Sequence, residues 1–132
     1  MNNMTQRQTL EQKRAKSAWD QVESVDENSR SKYATLARKL PSMIQINGLG
    51  ATLAFLLAKG KSKSDDGHTL IFRHLSDWLK SQEIVDRSSA NVMLFIQHTD
   101  MDNYRRATAE AIEYGIWLRR FVEANDWKGS DD

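Results

Sequence analysis

Residues 33–60, YATLARKLPSMIQINGLGATLAFLLAKG, narrow the folds open to this chain more than any other stretch. They hold its longest apolar run and its only proline. Tyr33, Leu36, Ala37, Leu40, Met43 and Ile44 recur at helical spacing, with Arg38 and Lys39 beside that stripe. Pro41 lacks an amide hydrogen and disfavours helical geometry at Leu40, so the spacing predicts a kink or a nearly collinear break there. Asn47 and Gly48 tolerate the left-handed conformation that stops a helix. A further helix over about 49–59 is apolar nearly all round, which predicts burial at the centre of a bundle, and Gly60 ends it.

The flanking segments agree with helices joined by short loops. Thr5 with Gln8 reads as a capping box opening a first helix, whose inward face is Leu10, Ala15, Ala18, Trp19, Val22 and Val25. Asn28 or Ser29 caps the second. After the polar loop KSKSDDG, residues 68–82 present Ile71, Phe72, Leu75, Trp78 and Leu79 inward. The short apolar run 90–97 suits a buried strand or a buried helix, but no second segment could pair with a strand, so helix is the reading. Thr99 with Asp102 opens the last and longest helix, with Ala107, Ala111, Tyr114, Leu118, Phe121 and Val122 on its stripe. The expectation is an all-α protein: one compact bundle of about six helices over residues 1–132, frayed at 1–4 and 129–132.

Charge is segregated within a nearly neutral chain. Residues 28–64 carry seven basic side chains and no acidic one, whereas the whole chain is only +1, leaving −6 on the remainder. Such a window offers a row of cations for a phosphate backbone, provided the fold gathers them on one side. No aromatic residues are interleaved with the lysines and arginines, which points to backbone contact and away from base stacking. The polar N-terminus has no signal-peptide core, and no run approaches a membrane span, so a soluble, cytoplasmic protein is expected.

The residue types exclude several chemistries. With no cysteine there is neither a disulfide framework nor a thiolate site. His68, His74 and His98 follow no zinc spacing and read as surface or capping residues. Asp100, Asp102 and Asn103 resemble the start of a calcium loop, but Arg105 stands where that loop needs glycine. The glycines at 48 and 50 lack a phosphate-loop pattern. No catalytic constellation, metal site or cofactor is expected.

Residues 32–60, KYATLARKLPSMIQINGLGATLAFLLAKG, resemble the core of the small-subunit family of CRISPR type III-B (Cmr) effector complexes, KLPSMIQINGLG (39–50) being the most specific part. An N-terminal helix of the TLEQKRAKSAW kind (9–19) and a C-terminal helix like YRRATAEAIEYGIWLRRFVEA (104–124) agree. The resemblance implies a non-catalytic, all-helical subunit in antiviral defence, stacked head-to-tail in several copies beside the backbone and large subunits. Together these would enclose guide RNA and target RNA. Carried onto this chain, the candidate RNA-facing residues are Arg38, Lys39 and Lys59, followed by Lys13, Arg14, Lys16, Lys61 and Lys63. The same charge segregation also suits protein contacts between copies, because stacking requires two unlike patches to meet. A free-standing helical DNA-binding protein and a purely structural adaptor are the alternatives. The first is disfavoured by the apolar helix that follows the turn at Asn47 and Gly48.

Overall fold

Pairs of apolar stripes decide how these helices assemble. In the computed structural model, which describes residues 8–86 and 92–129, they form six α-helices with no strand among the described residues. These are α1 (Leu10–Glu23), α2 (Arg30–Asn47), α3 (Leu49–Gly60), α4 (Gly67–Ser81), α5 (Val92–His98) and α6 (Met101–Ala124). A single 3₁₀ turn, Glu27–Ser29, leads into α2. The two long helices α2 and α6 pack on each other most extensively; α1 covers α6, while α3 and α4 pack together beside α2. One core results, running from Ala18 and Val22 through Tyr33, Leu40, Leu53, Leu75 and Tyr114 to Val122.

Several helix boundaries depart from the sequence expectation. The chain has two T-x-x-Q motifs four residues apart, and the second is the cap observed. Thr9 Oγ1 accepts from the Gln12 amide at 3.1 Å and Gln12 Oε1 accepts from the Thr9 amide at 2.8 Å. The expected cap at Thr5 lies outside the described residues. At α6 the cap is Asp100, which accepts from the Asn103 amide at 2.8 Å, in place of the expected Thr99. Residues 90–91 of the ambiguous apolar run fall outside the described residues, and the rest of the run is helical in α5.

α2 neither breaks nor ends at Pro41. Both halves of its stripe are buried, and Gly115 of α6 sits against the proline: a β-carbon there would stand 3.5 Å from Leu40 Cγ and 3.6 Å from Pro41 Cγ. Packing of this density offsets a missing ladder bond, an interior proline costing about 3 kcal/mol in a helix. α2 gives way to α3 at Gly48, whose φ of 91° and ψ of 158° suit glycine alone, while its amide still donates to Ile44 O at 2.8 Å.

α3 corrects the expected central helix. Leu49, Thr52, Leu53, Leu56 and Gly60 are buried, but Ala51, Ala54, Phe55, Leu57 and Ala58 face outward. Having only α2 and α4 as major partners, the helix covers one flank of the core. Gly60 is still helical, close under the Thr69 backbone, and Lys61 (φ 49°) is the left-handed residue that ends the helix.

Several polar groups inside the core pair with one another, whereas Thr52 Oγ1 is buried without a partner among the described residues. Arg14 of α1 reaches Glu110 of α6 through Nε at 2.5 Å and Nη2 at 2.8 Å, and Trp78 Nε1 donates to the same carboxylate at 3.0 Å. Contrary to the expected surface or capping role, His74 is buried, hydrogen-bonded through Nδ1 to Tyr33 Oη at 2.7 Å. Burial above all, and then the nearby Arg73 charge, lower its pKa to about 4.

Candidate nucleic-acid interface

Helical periodicity places part of the basic window on one surface. Lys32, Leu36 and Lys39 succeed one another along one face of α2, as do Phe55 and Lys59 on α3. Where α2 and α3 pack together these faces border a groove of about 340 Å³, which His68 on the first turn of α4 also lines. Lys39 and Lys59, far apart in sequence, are thus brought together. Neither forms an ion pair among the described residues, and none of the groove's lining residues is acidic.

The Asp66 carboxylate beside His68 is already engaged. Asp66 caps α4 by accepting from the His68 amide at 2.7 Å and from its Nδ1 at 2.8 Å. Burial opposes ionisation of Asp66, but the hydrogen bonds from His68 outweigh it and hold the carboxyl below its usual pKa. Asp65, the other acid of that loop, accepts through its carbonyl from Ser29 Oγ at 2.6 Å.

The remaining basic candidates are placed elsewhere or otherwise engaged. Arg38 faces the C-terminal segment, its Nη2 donating to Trp127 O at 2.5 Å, and the Arg30 guanidinium lies 5.0 Å from the centroid of the Trp127 ring. These two arginines pin the chain end to α2. Arg14 is committed to Glu110 inside the bundle, a partnership that raises its pKa above the ordinary value, chiefly through the hydrogen bonds and against the cost of burial. Lys16 pairs with Asp20 at 3.1 Å, and Lys13 lines a second depression on α1 with that pair. Lys61 and Lys63 are exposed on the loop that follows α3.

Lys32, Phe55 and His68 line the groove in addition to the lysines expected from sequence. The spacing of Lys32 from Lys39, two helical turns, was a readable signal for the first. Phe55 lies in the helix whose all-round apolar character predicts burial. Nothing in the local sequence places His68 beside Phe55; the two rings meet edge-to-face, with centroids 5.7 Å apart, only through the packing of α3 on α4.

Residues 10–125 match the family model described as CRISPR-associated protein (Cas_Cmr5). The CRISPR system Cmr subunit Cmr5 of Thermotoga maritima is 36% identical over 115 residues, covering 87% of this chain and 83% of the relative. The Cmr subunit Cmr5 of Thermus thermophilus is 26% identical over 111 residues, covering 83% and 90% respectively.

Proposed function

The chain belongs to the Cmr5 family, the small subunits of type III-B (Cmr) CRISPR effector complexes, and on that premise we propose that it is a non-catalytic subunit lining an RNA channel. It assembles with the backbone and large subunits, and several copies stack head-to-tail beside guide RNA and target RNA. The observation that carries the RNA-binding part is the groove in which Lys39 and Lys59, from different helices, flank a surface lined by no carboxylate. A phosphate backbone needs this arrangement: cations with no competing internal partner, spaced along a concave surface. Lys61 and Lys63 extend the same charge beyond the end of α3. Arg14 and Arg38, tied to Glu110 and to the C-terminal segment, act as structural residues in this reading.

The stacking part draws on the outward side of α3. Ala54, Leu57 and Ala58 leave an uncharged surface exposed, which suits close approach by a different patch of a neighbouring copy. Each single copy meets few phosphates, so tight binding arises from the row of copies.

The test is salt dependence in the assembled complex. Replacing Lys39 and Lys59 with alanine lowers target-RNA affinity and flattens the slope of log K against log salt by about 0.7–0.9 for each lost phosphate contact. An unchanged slope assigns both lysines to protein contacts and defeats the RNA-binding part. The subunit's membership of the complex would stand.

A further inference from the structure

The groove has a second half that phosphate binding does not require. A neighbouring hollow of about 460 Å³ shares Phe55 with it and is otherwise lined by Met43, Asn47, Ala51 and Thr52, none of them charged. Phe55 borders both halves, since it lines the basic groove as well as the hollow. Phe55 is 38% exposed although it is among the largest apolar residues of α3. The His68 imidazole meets it edge-to-face at an interplanar angle of 72°, which fixes the ring's surroundings on that side.

A cationic half and an uncharged half meeting at an exposed aromatic ring match the two chemistries of an unpaired nucleotide. Its phosphates require cations, and its base requires a π-face with room beyond it. A duplex keeps its bases stacked inside and would use only the lysines. We propose that this trough takes an unpaired stretch of RNA, with phosphates on Lys39 and Lys59 and one base stacked on Phe55 towards the hollow. The inference deepens the RNA-binding reading above and rests on it. It also revises the expectation from sequence that stacking plays no part: Phe55 shares a face of α3 with Lys59, and packing of α3 on α2 brings Lys39 to the same groove.

The experiment uses the full chain and two probes: a fluorescent single-stranded oligouridylate and an RNA duplex of equal length, followed by anisotropy over a salt series. At matched salt the single strand binds more tightly than the duplex. Phe55→Leu, which keeps an apolar side chain on the helix, weakens single-strand binding about 5- to 150-fold, the worth of one base–aromatic stack. It leaves duplex binding and the salt slope unchanged. Lys39→Ala and Lys59→Ala weaken both probes and flatten both slopes. Circular dichroism confirms that each variant is folded.

Equal affinity of Phe55→Leu and the parent for the single strand overturns the stacking proposal. If the lysine variants still lose binding, phosphate recognition survives that result. No binding of oligouridylate by the parent up to millimolar protein also overturns the proposal. So does a Phe55→Leu chain that binds RNA normally but no longer assembles with the other subunits, which would make Phe55 a protein contact.

Discussion

A single buried imidazole shows how the interior sets a limit on conditions. His74 is 1% exposed and held neutral, with a pKa of about 4 against 6.5 in an unfolded chain. Between those values the unfolded state binds a proton that the folded state refuses, so stability falls as pH falls. Above pH 6.5 neither state carries the charge and the effect is absent. Across the window from 6.5 to about 4 the loss from this residue amounts to about 3 kcal/mol, at 1.36 kcal/mol per pKa unit. His74→Gln retains a hydrogen-bonding group for Tyr33 without a titratable ring. Urea unfolding across pH should therefore show a shallower decline for the variant below 6.5. Equal slopes in the two proteins would mean that other groups account for the acid sensitivity.

At the scale of elements, legibility followed amphipathicity. α2 and α6 each carry one apolar stripe and one polar face, so residues such as Leu40, Ile44, Ala111 and Leu118 could be assigned to the core from spacing alone. α3 has no such contrast: apolar side chains on every side hide which side is covered, and only its neighbours decide it. The candidate site was half legible for the same reason. Lys39 and Lys59 stand out by charge, but their convergence and the company of Phe55 depend on how α3 lies against α2 and α4. Arg14 and Arg38 look like surface cations in sequence, and the partners that hold them, Glu110 and the Trp127 carbonyl, lie 96 and 89 residues away. The hinge between α2 and α3 was readable, and it yields a test. A β-carbon at Gly48 meets nothing closer than Tyr104 Oη at 3.8 Å, so a substitution there is resisted by backbone conformation and not by crowding. Gly48→Ala should lower stability by about 1–3 kcal/mol in chemical denaturation. Gly48→Asn should do no better, because a ψ of 158° is outside the left-handed helical region that asparagine tolerates. Recovery by asparagine would show that the junction relaxes to an ordinary helix cap.

For the molecule as a whole, the question is how a nearly neutral protein uses surfaces of different character. Its basic groove and the outward face of α3 adjoin, because Phe55 and Lys59 border the former while Ala54 and Ala58 belong to the latter. If copies stack through the alanine face, each contact sets one groove in register with the next, and a continuous track for RNA follows from protein–protein geometry. Assembly and RNA binding are then separable by mutation. Ala54 is exposed on an outer helix, so Ala54→Glu should leave the isolated fold intact, its circular dichroism and thermal midpoint unchanged. In a stack the same glutamate would lie desolvated against a neighbour without a partner. Native mass of the protein co-expressed with the other subunits should show fewer copies of Ala54→Glu per complex, with RNA affinity falling as copies are lost. The lysine variants should keep full copy number and lose affinity alone. An Ala54→Glu complex of parental mass would exclude this side of α3 from the contacts between copies, and the register of successive grooves would have to be set by another surface.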